Sequence, residues 1–420
     1  MRRLCARLRK GGATAAAVGT LALPIAVGAA FGLPGSDPSV PVAVPTAPPG
    51  SAAPASGEMR TLTPAVTGRL DRAVQRVMRE AHIPGVTVGL WTPDGGNYVR
   101  SFGVADKSDG RRMSPDLYMR IGSETKTFTV TALLQLVDRG KVGLDDPIGK
   151  YVAGVPNGHR ITLRQLAGMR SGLFNYSEDD GFYKALTSDP QRPFTPRQLL
   201  NYAFGHPVKF PPGQRFDYSN TNLVLLGLVI QKASGQPLAD FIRGNILVPA
   251  GLTHTLFPAD AAFPAPHAQG YTNQTASGKV EDAADWNPSW GWAAGAMISD
   301  VRDLRVWART VATGRLPDGG RLISPELQSQ RLVTLPTTIP GTGYGLGVFN
   351  VQGWIGHNGS LPGYESLTVH LPSARATLVV LLNTDIDHGG QEPSTLVGEA
   401  ITKIVTPRHI FNLPAQPAAR

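Results

Sequence analysis

The hydrophobic pattern places strand-like segments at both ends of this chain and helical segments between them. Apolar or alternating runs at residues 86–91 and 97–104 predict two early strands, and runs at 365–371 and 377–382 predict two late ones. Strands this far apart in sequence bury their apolar faces most simply in one common sheet. We therefore predict an α+β fold: an antiparallel sheet built from N- and C-terminal segments, flanked by helices, with a mostly helical inserted region at about 140–310.

The first 58 residues differ from the rest of the chain in composition. Residues 1–10 include five Arg or Lys, and residues 11–36 carry no charge. This pattern predicts a signal peptide or an N-terminal anchor at 1–33, followed by a Pro/Ala-rich linker at 34–58. The remaining 59–410 is long enough for one large domain or two closely packed ones. Under either interpretation we expect a secreted or extracytoplasmic protein of the cell envelope, which an uncleaved anchor would tether to the membrane.

Charge, cysteine and histidine content exclude several classes of function. The formal charge is +9, and about +4 is left once the five N-terminal basic residues are removed. No later Lys/Arg cluster is interleaved with aromatic residues, so nucleic acid is not an expected partner. Cys5 is the only cysteine, so the exported part has neither a disulfide framework nor a thiol nucleophile. The nine His residues lack metal-ligand spacing, so no metal or cofactor is expected.

A Ser and a Lys three residues apart stand where a short strand-like run changes to an apolar helix. Ser123 and Lys126 then lie on one helix face, one turn apart, with the amine beside the hydroxyl. A serine needs such a base within hydrogen-bond reach to become a nucleophile. Free N–H groups in the first helical turn can stabilise an oxyanion. The alternative is an N-capping Ser beside a solvated Lys, because this short motif also arises by chance.

A loop fixed by Pro and Gly leads to Tyr218 and Asn220 at the start of a strongly apolar helix. A phenol acts as a base only where a nearby cation stabilises the phenolate, and Lys126 is the candidate cation. Asn220 could hydrogen-bond Lys126 or an amide substrate. The alternative is a capping Asn and a packing Tyr. Tyr271-Thr272-Asn273 shows that the tripeptide alone is not specific.

A third polar group follows Trp354-Ile355. His357 is expected to present a proton-active group at a strand edge, and its ordinary pKa of about 6.5 predicts pH-dependent activity between about pH 5 and 8. Gly359 lets a substrate backbone approach closely. The Ser360 N–H is a candidate oxyanion donor beside that of Ser123. The alternative is a turn with an exposed His.

The chain carries three short motifs in a fixed order: Ser-x-x-Lys at 123–126, Tyr-x-Asn at 218–220 and His-x-Gly at 357–359. This order resembles that of the motifs of the serine β-lactamase/DD-peptidase superfamily. The second motif looks like that of class C β-lactamases and class B DD-peptidases, and the third like that of secreted serine D-alanyl-D-alanine carboxypeptidases. The resemblance runs from about 60 to 405. It implies a β-lactamase/transpeptidase-like fold and a hydrolase that works through an acyl-enzyme.

The resemblance implies a role for each residue of this chain that matches a family motif. Ser123 would be the acylated nucleophile, Lys126 and Tyr218 its proton network, and His357 a helper in proton transfer or substrate docking. The implied substrate-binding residues are Asn220, Asn358, Gly359, Ser360 and Trp290. Trp290 would be an aromatic residue of the pocket, with a core Trp as the alternative.

Two departures from the family pattern bear on the substrate. Asn358 stands where the His-Thr-Gly motif has a hydroxyl that touches a substrate carboxylate. The stretch 332–356 contains no Arg or Lys, whereas the carboxypeptidases carry an Arg there that clamps this carboxylate. Our first expectation is nevertheless a D-alanyl-D-alanine carboxypeptidase acting on peptidoglycan stem peptides, with peptide or β-lactam substrates. The alternatives are a β-lactamase, an esterase or a D-amino-acid amidase of the same fold, or a non-catalytic envelope-binding protein.

Overall fold

The structure, a computed structural model, describes residues 58–413. The predicted signal peptide or anchor at 1–33, and all of the predicted linker at 34–58 except its last residue, lie outside the described residues. Within the described residues, no helix is both long enough and apolar enough to cross a membrane.

The strands form one large antiparallel sheet and two small pairs. The large sheet has eight strands in the order β2-β1-β12-β11-β10-β9-β8-β7, and the two small pairs are β3-β6 and β4-β5. The strands are β1 Gly85–Trp91, β2 Asn97–Gly103, β3 Met119–Arg120, β4 Tyr271–Thr272, β5 Glu281–Asp282, β6 Ile298–Ser299, β7 Leu335–Pro336, β8 Thr342–Tyr344, β9 Phe349–Val351, β10 Trp354–Leu361, β11 Tyr364–Leu371 and β12 Ala376–Leu382. Since β1 pairs with β12, the N- and C-terminal segments lie side by side in this sheet.

Helices cover both faces of the sheet and fill the region between the early and late strands. They are α1 Pro64–Glu80, α2 Thr125–Asp138, α3 Leu163–Ala167, α4 Asp180–Ser188, α5 Pro196–Phe204, α6 Asn220–Ser234, α7 Leu238–Ile242, α8 Val248–Ala250, α9 Trp292–Gly295, α10 Val301–Thr313, α11 Pro325–Leu332 and α12 Pro393–Val405. The predicted α+β class, with its antiparallel sheet from both ends of the chain, is confirmed.

Two apolar clusters lie on opposite faces of the sheet. Leu70 and Val74 of α1 belong to one cluster together with Val397 and Ile401 of α12. The second cluster contains α2, α6 and α10. Side chains alternate between faces along a strand, so neighbouring residues of β12 contribute to different clusters. The helical region with its candidate nucleophile therefore packs on one face, and the two terminal helices on the other.

Three elements differ from the predictions. The strand-like run before Ser123 forms only the two-residue strand β3, which pairs with β6 outside the large sheet. The helix expected over 237–246 leaves α-geometry after Ile242 and continues as a π-helical segment, Arg243–Leu247. Helix α12 begins at Pro393, before the predicted start at 399, because burial against the sheet stabilises a first turn of poor intrinsic helix formers.

Candidate active site

Ser123 lies in a tight turn that joins β3 to α2. The turn is a 3-10 helix, Gly122–Glu124, and Ser123 is buried with 5% of its surface exposed. Gly122 has φ +52°, and a Cβ built on it would lie 2.8 Å from the backbone N of Ser360. The chain therefore uses Gly here to bring the Ser123 turn against β10. This close approach places the Ser123 and Ser360 segments together, as an oxyanion site between their N–H groups requires.

Lys126 is fully buried one helical turn after Ser123. Its Nζ lies 2.8 Å from Ser123 Oγ and donates a hydrogen bond of 2.7 Å to the carbonyl oxygen of Ala294. Burial lowers the pKa of Lys126 well below its ordinary value of 10.5, because the charged form loses its hydration. A neutral amine has a lone pair and accepts a proton, so Lys126 is chemically suited to act as the base for Ser123.

Tyr218 completes the proton network on the other side of Lys126. The Lys126 Nζ lies 4.9 Å from the centre of its ring. Burial, and then the neighbouring Tyr344, raise the pKa of Tyr218 well above 10, although a hydrogen bond with Ser123 opposes this rise. Burial favours the neutral form of both groups, which opposes the expected stabilisation of a Tyr218 phenolate by a charged Lys126. Tyr218 is better suited to donate its proton than to accept one.

Asn220 lies at the start of α6, but it does not bond to Lys126. Its Nδ2 donates to Ser177 Oγ at 3.1 Å, and its backbone N donates to Asn175 Oδ1 at 3.0 Å. The amine of Lys126 instead uses the carbonyl of Ala294. Asn220 Oδ1 is buried and has no hydrogen-bond partner among the described residues. Asn220 was expected to bond either to Lys126 or to a substrate amide. With no bond to Lys126, its free Oδ1 is left to accept from a substrate N–H.

His357 lies on β10 just beyond the residues that pair with β9, and its side chain is buried. It is 2% exposed, with Nε2 3.2 Å from the Tyr344 hydroxyl and Nδ1 2.5 Å from the Asn358 carbonyl oxygen. Burial, followed by the nearby Lys126, lowers the pKa of His357 to about 3. The expected titration near pH 6.5 is therefore wrong, because desolvation disfavours the imidazolium. His357 stays neutral at physiological pH and holds its place through Tyr344 and its own strand.

The second half of β10 is an open strand edge. Strand β11 pairs with β10 from Ile355 to Leu361, but β9 pairs only with Trp354–Gly356. A Cβ built on Gly359 would lie 2.0 Å from the carbonyl oxygen of Ile121, so this glycine permits the Ser123 turn to pack against the strand. The backbone of Asn358 to Ser360 is thus available to an extended substrate beside Ser123.

Asn358 makes a contact that the sequence did not predict. Its Nδ2 donates a hydrogen bond of 2.6 Å to Oε2 of Glu392, the N-cap residue of α12. The amide that stands in the position of the family's hydroxyl is therefore paired with an acidic side chain. Glu392 also raises the pKa of Tyr218, which places its charge within electrostatic range of the proton network.

Trp290 is both buried and part of a cavity wall. It is 6% exposed and lines a small cavity with Arg120, Gly295, Leu361 and Pro362. Trp290 is thus a core Trp that also bounds a small space next to β10, and its role as an aromatic residue of the substrate pocket stays a prediction. The Arg120 guanidinium donates to the carbonyl oxygens of two Ala residues, at 261 and 284.

Sequence reasoning missed three residues at the site: Glu124, Tyr344 and Glu392. Glu124 lines a small cavity with His357; its two carboxyl oxygens have no hydrogen-bond partner among the described residues, and burial raises its pKa to about 8. Glu124 directly precedes α2, whose residues from Thr125 to Leu136 are all buried, but the polar run from Ser123 to Thr127 gives no local signal of this burial. Tyr344 and Glu392 reach the site only through the tertiary fold.

One group of potential metal ligands exists among the described residues: His254, Asp300 and Asp303. Both carboxylates already have structural roles. Asp300 caps α10 by accepting from two backbone N–H groups, and Asp303 accepts from the His254 N–H and the Thr255 hydroxyl. These hydrogen bonds account for the cluster, and the chemistry at Ser123 does not use it.

Comparisons with known proteins agree with this geometry. The family described as Beta-lactamase matches residues 70–400. A D-stereospecific amidohydrolase from Streptomyces sp. is 31% identical, with a TM-score of 0.70, and the match covers 80% of this chain and 98% of that one. A D-amino acid amidase from Ochrobactrum anthropi SV3, complexed with L-phenylalanine amide, is 28% identical with a TM-score of 0.69, covering 81% and 96% of the two chains.

Among curated proteins, protein flp of Staphylococcus aureus (strain N315) is 28% identical over 331 residues. The match covers 76% of this chain and 64% of flp, so this chain spans less than two thirds of that relative. Three findings support the same family assignment: the match over residues 70–400, the antiparallel sheet and the buried Ser-Lys pair. The chain belongs to the Beta-lactamase family and has the fold of the serine β-lactamase/transpeptidase-like hydrolases.

Proposed function

We propose that this protein is a serine amidohydrolase that cleaves amides and esters of D-amino acids through an acyl-enzyme on Ser123. The observation that carries the proposal is the 2.8 Å contact between Ser123 Oγ and the buried Lys126 Nζ. It supplies a nucleophile and its base in one dry site, which is what acyl transfer needs. The substrate class is supported by similarity to a protein named D-stereospecific amidohydrolase and to one named D-amino acid amidase.

The proposed reaction has two stages. Lys126 takes the proton of Ser123 as its oxygen attacks the carbonyl carbon, and the N–H groups of Ser123 and Ser360 stabilise the oxyanion. The bond to the leaving nitrogen or oxygen breaks as the leaving group receives a proton from Tyr218, which Lys126 reprotonates. Water then attacks the acyl-enzyme, with the same groups accepting its proton and returning one to Ser123.

The charges around the site favour an amidase over the D-alanyl-D-alanine carboxypeptidase that we expected first. Arg331 lies just before the stretch without Arg or Lys, and its guanidinium is buried against Thr131 and the carbonyl of Thr127. Asn358 is paired with the acidic Glu392. A substrate carboxylate at this position would meet a like charge, whereas an uncharged amide or ester terminus would not.

Hydrolysis of matched substrates by the purified protein tests the proposal. We expect release of ammonia from D-phenylalanine amide, much slower turnover of L-phenylalanine amide, and loss of both activities in Ser123→Ala. A D-Ala-D-Ala peptide and a penicillin are the comparison substrates. Release of D-Ala at a higher kcat/KM than the D-amide would assign a carboxypeptidase, and rapid penicillin hydrolysis a β-lactamase. A protein that turns over none of these substrates and forms no adduct on Ser123 would be a binding protein.

We also propose that the protein works outside the cytoplasm, in the cell envelope. The support is the charge pattern of residues 1–36, basic and then uncharged, which is typical of export signals and anchors. The peptidoglycan of the envelope contains D-amino acids and is the proposed source of substrate. Cell fractionation with N-terminal sequencing tests this. Recovery of the full-length chain in the cytoplasm would contradict it.

A further inference from the structure

Arg120 is a buried cation three residues before Ser123 in the sequence. Only 1% of its surface is exposed, and its Nη2 donates hydrogen bonds of 3.1 and 2.9 Å to the carbonyl oxygens of Ala261 and Ala284. Its Nε and Nη1 are also buried, but they have no hydrogen-bond partner among the described residues. An arginine is not deprotonated in a protein, so two donors of a charged group are left unsatisfied, which is costly.

The charge of Arg120 is not neutralised by a carboxylate. Within residues 58–413, Arg120 belongs to no ion pair. Its guanidinium carbon lies 4.6 Å from the centre of the Phe263 ring, a cation–π contact that offsets only part of the cost of burying a charge. Burial lowers the pKa of Arg120, and Tyr364 and the exposed Asp285 oppose this effect only through their charges. Arg120 therefore remains a buried positive charge in need of an anionic partner.

Arg120 lines a small cavity beside the turn that holds the candidate nucleophile. Gly295 on the cavity wall packs against this turn, since a Cβ built on it would lie 3.8 Å from the carbonyl carbon of Gly122. The space open to the centre of a water-sized sphere is about 10 Å³, which is room for one water-sized species. Arg120 is the only charged residue in the wall, and the other polar side chains are Trp286 and Trp290, whose indole N–H groups donate but never accept. The side chains of the wall therefore offer donors and no acceptor.

A second buried arginine shows why this lining favours an anion over a water molecule. Arg331 is 2% exposed, its Nε has no partner among the described residues, and it lines another cavity of about 10 Å³. That cavity is also lined by Gln328, whose Oε1 is an acceptor without a partner in the same part of the chain. One water molecule can accept from Arg331 and donate to Gln328. The side chains around Arg120 offer no acceptor for the hydrogens of a water, and an anion has no hydrogens to place.

We propose that Arg120 and its cavity form a binding site for a small inorganic anion, with chloride as the occupant. A monatomic anion accepts hydrogen bonds from any donor that reaches it and supplies the negative charge that the cavity wall lacks. The size of the cavity excludes polyatomic anions such as acetate and sulfate. The site is separate from the proposed hydrolysis of amides and does not depend on it.

Bromide tests the site directly, because it has the charge of chloride and scatters X-rays anomalously. Crystals of the full chain grown in bromide are expected to show an anomalous peak within hydrogen-bond distance of the Arg120 guanidinium. The cavity at Arg331 is the control in the same crystal and should show no peak. A map without a peak at Arg120 would leave water as the occupant and overturn the proposal. Peaks at both arginines would overturn the argument from the donors of the cavity wall.

Thermal unfolding tests whether the folded protein binds the anion in solution. Gly295→Ala adds a methyl group to the cavity wall, where outside its own helix it would contact only the Gly122 backbone, at ordinary distances. Gly244→Ala is the matched control, since nothing lies within 4 Å of a Cβ at that position. When chloride replaces acetate at constant ionic strength, we expect the Tm of wild-type protein and of Gly244→Ala to rise by about 1–4 °C relative to that of Gly295→Ala.

The outcomes bear on the anion site alone. Equal responses of all three proteins to chloride would overturn the proposal. If Gly295→Ala does not fold, as judged by circular dichroism, the bromide map of the wild-type protein decides the question. Neither experiment measures hydrolysis, so loss of the anion site would leave the proposed function standing.

Discussion

At the scale of single residues, the protonation state of Lys126 decides whether Ser123 is activated. We expect Lys126→Arg to lower kcat/KM by about 10²- to 10⁴-fold, because an arginine stays protonated and cannot act as a base. Steady-state kinetics on a D-amino acid amide measure this change. The control is Lys141→Arg at an exposed position after α2, which should keep wild-type activity. Wild-type rates in Lys126→Arg would exclude Lys126 as the base.

His357 provides a test of the buried electrostatics. Its pKa of about 3 keeps it neutral from pH 5 to 8. The pH profile of kcat/KM should therefore show no rise or fall in this range that comes from titration of His357. We expect the pH profiles of wild-type protein and His357→Gln to have the same shape in this range, whatever their absolute rates. A limb near pH 6.5 that disappears in His357→Gln would show that the imidazole titrates.

Glu124 should make the stability of the protein depend on pH. Its pKa is raised from 4.5 to about 8 in the folded state, so between these values the folded protein binds more protons than the unfolded chain. The free energy of unfolding should then fall as pH rises from about 4.5 to 8, by a few kcal/mol at most. We expect Glu124→Gln to remove this fall, as measured by urea unfolding at pH 5 and pH 8. An identical pH dependence in both proteins would contradict the buried, protonated carboxyl.

At the scale of elements, the contact between the Ser123 turn and β10 depends on Gly359. A Cβ there would lie 2.0 Å from the Ile121 carbonyl oxygen, which is backbone and cannot rotate away. We expect Gly359→Ala to cost about 1–3 kcal/mol of stability and to lower kcat through displacement of the nucleophile turn. Gly244→Ala is the control, because nothing lies within 4 Å of a Cβ at that position. Unfolding and kinetics measured together test both effects, and equal behaviour of the two variants would refute the steric argument.

Most elements could be predicted from local pattern, and the exceptions have physical causes. Helix α1 has a capping Thr63, Pro64 in its first turn and buried residues at helical spacing, so its bounds follow from the sequence. Strand β10 was harder, because Gly356, His357 and Asn358 carry no strand pattern. Its pairing with the strongly apolar β11 holds it in the sheet. Local propensity was overruled there by tertiary pairing.

At the scale of the whole molecule, the sheet unites segments that lie far apart in sequence. Pairing of β1 with β12 and packing of α1 against α12 bring the two ends together, and α12 carries Glu392 to Asn358. The motif residues Ser123, Lys126 and Tyr218 were identifiable because spacing and resemblance point to them. Glu392 has no local signal, since its partner is 34 positions away and only the fold brings them together.

The most direct test of the account is to trap the acyl-enzyme. Wild-type protein and Ser123→Ala would be mixed with D-phenylalanine methyl ester, quenched in acid and digested for mass spectrometry. We predict a D-phenylalanyl adduct on the wild-type peptide that contains Ser123, and no adduct in Ser123→Ala. Turnover of the ester with the adduct on another residue, or undiminished turnover by Ser123→Ala, would contradict the assignment of Ser123 as the nucleophile.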